Sequence, residues 1–419
     1  MLKKSMIKYD IAVIGGGPAG MMAAGRAGEL GARVVLLEKN SGLGVKLLMT
    51  GGGRCNIANS IKESRKLIEE YGKNGKFLFS SLMRFGTDET VEFFESRGVK
   101  TKVEADGRIF PVSNSAKDVL KSLIKYLNEF KVEIKTNSAV KEIISSDGKI
   151  EKIILTNGEE IIAEKYIVCV GGKSYSASGS TGDGYVWLKN LGHEIVSPAP
   201  ALVPIITKGK LTKELEGLSL KQVAITLYDG DKKAETQSGE MIFTADGLSG
   251  PLALNLSRTV SRLLPKKMKL RLDFYPGYSQ SELDQKIQSD FKSDNNKTFK
   301  NFLNKLLQPK LATLILKMSG IKPDKQVNSV SKEERKKLVA LLKEFDLEIY
   351  SLAGFDKAMV TSGGVKLSEV DPKTMKSKLV SNLYLAGEIL DLEGPTGGYN
   401  LQICWTTGYV AGENAVGKD

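Results

Sequence analysis

Histidine and cysteine are nearly missing from this chain of 419 residues, which has one His and three Cys. Cys55, Cys169 and Cys404 lie far apart without a CxxC pair. That argues against a disulfide framework or a cysteine zinc site and fits a reducing cytoplasm. With His193 alone, histidine acid–base chemistry and multi-histidine metal sites have no residues to draw on, so no metal is expected. His193 follows a helix-like stretch, GYVWLKNLGHEIV, and reads as a packing residue. No run approaches the ~20 apolar residues of a membrane span. The start, MLKKSMIKYDIAVIGGG, sets lysines ahead of apolar residues as a leader would. Its apolar run, Ile11 to Ile14, is too short and ends in three glycines. The expectation is a soluble cytoplasmic protein with no membrane partner.

Positive charge is what the chain has in excess, at a formal +12. Residues 205–346 hold 26 Lys and Arg against 17 Asp and Glu, while the rest of the chain holds 35 against 32. The excess therefore sits in the middle. It reads either as solvated surface or as the footprint of a phosphate-rich partner such as RNA. Hydrophobic content of 41% and charged content of 26% are ordinary for a globular protein, and the length calls for two or three domains.

Residues 9–14 (YDIAVI) and 33–38 (RVVLLE) read as short buried strands, with a glycine turn and an alanine-rich helix between them. This is a βαβ unit of about 30 residues. Helical spacing recurs over 62–70, 87–97 and 116–129, with Thr87 as an N-terminal cap. Hairpin strands over 132–170 end in YIVCV. From 197 the pattern changes to short strands, then to a lysine-rich helical block within 281–345. NLYLAGEILD (382–391) reads as a last buried strand, and a helix from about Tyr399 to Glu413 closes the chain. The expected domains are 1–196 as the first part of a nucleotide domain, 197–275 as a β-rich barrel-like insert, and 276–346 as a basic helical insert. Residues 347–419 return to the first domain, with 347–360 allowed to return through the insert.

Gly15-Gly16-Gly17-Pro18-Ala19-Gly20 fits G-x-G-x-x-G where strand passes into helix. Gly15 permits the tight turn, Gly17 lets backbone approach a pyrophosphate, and Gly20 lets helix and strand pack closely. The helix N-terminus offers free N–H groups to the phosphates. Glu38, at the end of the second strand, is placed to accept from ribose hydroxyls. A second glycine-rich stretch, Gly42 to Lys46 and Thr50 to Asn56, suits a loop laid along a long extended cofactor. That points to FAD rather than NAD, with Lys46 and Arg54 near phosphate or flavin oxygens. After the last strand, Gly387, Glu388 and Asp391 lead to GPTGGYNLQ (394–402). A helix starting there would aim its positive end at the flavin pyrimidine. No second G-x-G-x-x-G precedes an acidic strand end, so NAD(P)H is expected only as a transient electron donor.

The blocks GGGPAGMMAA, KLLMTGGGRCNIAN, MVTSGGVKLSEVDPKTM and LYLAGEILDLEGPTGGYNLQ resemble the BaiN/YhiN-like flavoproteins over nearly the whole chain. Val45 departs from the family pattern, where an arginine is expected. The resemblance implies an α/β fold: a Rossmann-like FAD-binding domain of the two-dinucleotide-binding-domain flavoprotein type, with an inserted β-barrel-like and helical domain. It implies cofactor contacts at Gly15, Gly17, Glu38, Arg54, Asn56, Gly171, Gly387, Glu388, Asn400 and Gln402. Pro18, Ala19, Gly20, Lys39, Lys46, Gly52, Val140, Asp391, Gly398 and Leu401 complete the expected cofactor set.

A flavin moves hydride itself, so the protein need only orient substrate and handle one proton. Cys55, Tyr399, Tyr175 and Tyr185 are the candidates for that proton, with Arg54 beside Cys55 able to lower its pKa. Three functional readings compete, the first two of them implied by the resemblance. The first is a reductase making dihydrouridine in ribosomal RNA, narrowly preferred on the basic insert. The second is a small-molecule flavoenzyme, either an amine or aminoacetone oxidase or a steroid-type enone reductase. The third is a non-catalytic flavin-binding module docked on a partner.

Overall fold

A computed structural model describes residues 8–104 and 106–417, and the lysine-led segment 1–7 weighed above as a leader lies outside them. The chain divides into two compact units, one running to Pro200 and resuming at Ala358, the other holding Ala201–Lys357.

The first unit is built on a parallel sheet. Strands Glu133–Lys135, Val34–Leu37, Lys8–Ile14 and Glu160–Val168 lie in that order, and Leu383–Leu385 pairs with residues 166–168 in the same direction. Val34–Leu37 is buried at all four positions, as a parallel strand covered on both faces must be. The antiparallel strands Val140–Ser146 and Lys149–Leu155 extend the sheet from the start of Glu160–Val168.

Helix Pro18–Glu29 starts with Pro at a position where no intrahelical N–H is needed. It packs directly on the terminal helix Tyr399–Val416. Side chains at Gly408 or Gly412 would overlap the carbonyl oxygens of Ala19 and Ala23, so two glycines one turn apart set how closely the helices cross. That contact joins the two ends of the sequence.

The second unit is a closed barrel. Its strands run Ile205–Thr207, Gly247–Ser249, Lys232–Thr244, Ser219–Asp229, Met268–Asp273 and Phe345–Leu352, and the last pairs back with the first. Apolar side chains alternate inward along Met268–Asp273 and Phe345–Leu352. Helix Gly250–Leu263 packs on this core through Leu252, Leu256 and Val260. Helices Gln280–Ser293 and Lys332–Lys343 each begin with a serine capping box.

The helical block lies between the fifth and sixth barrel strands, and residues 347–357, within the stretch allowed to return through the insert, belong to that unit. Two details differ from the sequence reading. Gly86 caps helix Thr87–Ser96, with its N–H donating to Glu89, while the Thr87 hydroxyl is spent on the Asn59 and Ile61 carbonyls. The last strand shrinks to Leu383–Leu385 because a turn at Gly387 follows it at once. Among the described residues, no helix is long and apolar enough to cross a membrane. Nor is any group of His, Cys, Asp and Glu among them arranged to hold a metal ion.

Candidate cofactor site

The parallel strands of the first unit end on one edge of the sheet, where open α/β folds bind ligands. The loops leaving Ile14, Leu37, Val168 and Leu385 meet there, and each glycine of the first loop has a separate duty. Gly15 turns at φ +103°, and a Cβ on it would lie 2.6 Å from the Cys169 carbonyl oxygen. A Cβ on Gly20 would overlap the Gly15 carbonyl oxygen, so helix and strand touch only because it is absent. Gly17 is different: a Cβ there would meet nothing within 4 Å. The second glycine thus leaves open space at the mouth of the helix, just ahead of Pro18 and Ala19.

Glu38 is 8% exposed and follows the second strand. Its Oε2 accepts from Gly16 N–H at 2.7 Å and its Oε1 from Asn40 N–H at 2.8 Å. A carboxylate has about four acceptor sites, so two remain for hydroxyl donors. Ser138 N–H donates to the Glu38 carbonyl at 2.8 Å, which brings the start of the strand at Val140 beside this position. Lys39 pairs with Asp183 at 2.9 Å, and Asn40 donates to Ser178 O at 3.1 Å. The loop 171–183 is thereby tied to the Glu38 end of the sheet.

Lys46 meets three other segments at a polar junction. Its Nζ donates to Glu388 at 2.8 Å and to Ser174 Oγ at 2.7 Å. Glu388 also accepts from Ser174 Oγ at 2.7 Å and Thr361 N–H at 2.8 Å. Thr361 Oγ1 in turn accepts from Lys173 N–H at 2.8 Å. Gly172 has no room for a Cβ against Thr361, and Gly171 turns at φ +72°. Gly387 donates to Thr407 Oγ1 at 2.9 Å and sits against Ala19. Ser174, Thr361, Asp183 and Thr407 escaped the sequence reading because hydroxyl and carboxylate positions carry no pattern until the chain folds. The TGDG run (181–184) was the one available signal.

Several expected contact residues are bonded to their own or neighbouring loops. Asn400 accepts from Gly394 N–H at 2.8 Å and donates to the carbonyls of Gly394 and Pro395. Asn56 accepts from Gly398 N–H at 2.9 Å and donates to Ala58 and Ile109 carbonyls. Asp391 receives Asn74 on both its backbone and side-chain oxygens. Arg54 lies 3.9 Å from the Phe110 ring centroid and pairs with Glu104 at 2.8 Å. Gly52, with φ +67°, and Leu401 border these loops.

Cys55 does not have the lowered pKa expected of it beside Arg54. Its side chain is fully buried, and burial pushes the thiol up to about 12. Arg54 does not lower it, because the guanidinium is spent on Glu104. Tyr175 turns at φ +59° before the short helix Ser176–Ser178. The Tyr399 phenol, at the first position of the terminal helix, is pushed up to about 12 by burial and by Glu70 and Asp106. His193 is a buried packing residue, bonded to Glu369 at 2.9 Å and Ser377 at 3.0 Å.

Among the described residues, the buried polar atoms without a hydrogen-bond partner include Tyr185 Oη and Gln402 Oε1. The Gln402 amide nitrogen is satisfied by Thr90 and Thr406, so its carbonyl is the group left over. Open space at Gly17, spare acceptors on Glu38 and these orphaned groups fit a bound dinucleotide. A hollow of about 420 Å³ lined by Asp371, Ser377, Lys378 and Asn414 contains none of the expected cofactor or proton-donor residues.

The fold and this edge define a Rossmann-domain flavoprotein, an FAD-dependent oxidoreductase. The chain belongs to the HI0933-like family, whose model, described as the HI0933-like protein Rossmann domain, matches residues 9–414. It is 35% identical to the 3-dehydro-bile acid delta(4,6)-reductase of Clostridium scindens, over 97% of this chain and 98% of that one. It is 29% identical to the ribosomal RNA dihydrouridine synthase of Haemophilus influenzae, over 95% of this chain and 96% of that one. In fold it is similar to a 3-ketosteroid-delta4-(5alpha)-dehydrogenase from Rhodococcus jostii, with a TM-score of 0.54 at 15% identity, covering 100% of this chain and 99% of that one.

Proposed function

We propose that the chain reduces a carbon–carbon double bond conjugated to a carbonyl, drawing electrons from NAD(P)H through FAD. One observation carries this reading: two relatives aligned along their whole length bear names that denote saturation of such a bond, although their substrates differ. FAD, when bound, supplies the hydride for the carbon remote from the carbonyl. The turn Gly15–Ala19 would hold its phosphates and Glu38 its ribose. Lys46, Glu388 and the N-terminus of helix Tyr399–Val416 would set the field around its ring. Tyr399 keeps its proton at neutral pH and gives it to the carbon next to the carbonyl, completing addition of H₂ across the bond.

For the substrate we favour a small apolar enone. In the insert unit, Lys266, Arg271, Lys317, Arg335 and Lys343 each face a carboxylate, so much of its positive charge is answered locally. Exposed Lys322, Lys332, Lys336 and Lys337 support RNA uridine as the second reading. The deciding test is anaerobic. NAD(P)H should bleach the bound flavin, and a steroid-type 3-oxo-4-ene should restore its colour with a product two hydrogens heavier. A flavin that NAD(P)H leaves oxidised would sink the proposal. Loss of dihydrouridine from ribosomal RNA in a deletion strain would move the assignment to RNA.

A further inference from the structure

We infer that Tyr185 Oη donates a hydrogen bond to an oxygen of bound FAD and is there to bind the cofactor. The inference rests on the FAD-dependent reading above. Tyr185 lies in the first turn of helix Asp183–Asn190 and is 7% exposed. Its hydroxyl is buried without a partner, a state that proteins rarely leave uncorrected.

The surroundings say what is missing. At neighbouring Gly184, a Cβ would press on Val170 and lie 2.9 Å from Ile389. The start of this helix is therefore packed against the segments that leave strands Glu160–Val168 and Leu383–Leu385, on the ligand-binding edge of the sheet. Glu388 and Asp391 are close enough to act on the phenol, which burial and both carboxylates push well above its usual range. Neither accepts its proton. Glu388 is engaged by Lys46, Ser174 and Thr361, and Asp391 by Asn74. A phenol that stays protonated can only donate, or accept weakly, so its partner must bring an acceptor oxygen. FAD carries such oxygens in its pyrophosphate and ribityl chain, and the loops already assigned to it close on the same edge.

The hydroxyl is then idle in the flavin-free protein and used in the loaded one, so removing it has opposite consequences in the two states. Tyr185→Phe is compared with wild type by thermal melting after flavin removal, and by titration of the stripped protein with FAD. The expected result is a flavin-free melting temperature equal to or above wild type, with an FAD dissociation constant raised about tenfold. A lowered flavin-free melting temperature would overturn the inference, because the hydroxyl would then have a protein or water partner without FAD. Equal FAD affinity would overturn it as well. If wild type itself takes up no FAD, the failure belongs to the cofactor reading and not to Tyr185.

Discussion

Two alanine substitutions three residues apart should fail in opposite ways. Gly17 has φ −81° and ψ −175°, ordinary extended backbone, and a Cβ there would meet nothing within 4 Å. As an N-cap, Ala is worse than Gly by up to ~1 kcal/mol, and the stiffer unfolded chain returns ~0.4–1 kcal/mol. The folded, flavin-free protein should therefore melt within about 2–4 °C of wild type. The same methyl fills the space through which a pyrophosphate reaches the helix N–H groups. Losing two charge-assisted hydrogen bonds at ~1.5–3 kcal/mol each would weaken FAD binding by about 10²–10⁴-fold. At Gly20 the added carbon overlaps the Gly15 carbonyl oxygen and lies 3.0 Å from its carbon. Backbone cannot yield as a side chain does, so Gly20→Ala should cost ~3 kcal/mol or more with or without flavin. Calorimetry of stripped protein and fluorescence titration with FAD measure both. If Gly17→Ala melted as low as Gly20→Ala, or bound FAD within threefold of wild type, the division of labour among these glycines would be wrong.

Other substitutions probe the rest of the site. Tyr399→Phe should slow reoxidation of reduced flavin by enone ~10²–10⁴-fold and leave reduction by NAD(P)H unchanged. A raised acid keeps its proton until pH climbs through its pKa. With Tyr399 near 12, this phenol should add no falling limb to the rate below about pH 10, which stopped-flow reoxidation can check. Cys55 should resist alkylation in the native protein through pH 9, since its thiol is buried and pushed up to about 12; rapid labelling seen by mass spectrometry would contradict that placement. Glu38→Ala should lower flavin retained after gel filtration. It should also loosen the turn at Gly16, whose N–H would lose its acceptor.

Local patterns carried the nucleotide half of the fold. The glycine string needs only its own backbone, and each glycine's duty follows from residues within one βαβ unit or the strand beside it. The meeting of the two ends was also legible, because glycine-rich loops at both termini are too bare to cover a core. The barrel's closure was not. Phe345–Leu352 looks like a strand in isolation, but its partner Ile205–Thr207 lies some 140 residues earlier, with six α-helices and four strands between. Side-chain chemistry was least legible. Cys55 follows Arg54 in sequence, yet the positive charge faces Glu104 and the thiol faces the core. Gln402 finds Thr90 across 312 positions, a pairing that no spacing rule anticipates.

The same limit governs the charge argument. An excess of +9 over residues 205–346 is a statement about composition, whereas affinity for RNA depends on cations that release counterions when phosphate arrives. A lysine already 2.6 to 3.0 Å from a carboxylate, as Lys266, Lys317 and Lys343 are, must give up that partner to gain a new one. The net gain is correspondingly small. Exposed Lys322, Lys332, Lys336 and Lys337 escape this argument. Four phosphate contacts on a single strand would give a salt slope of only about −3 in log K against log salt. A steeper measured slope would require further exposed cations of the insert, such as Lys210, Lys221, Lys232 and Lys300, to reach phosphate, and with it the ranking of a small enone above RNA would reverse.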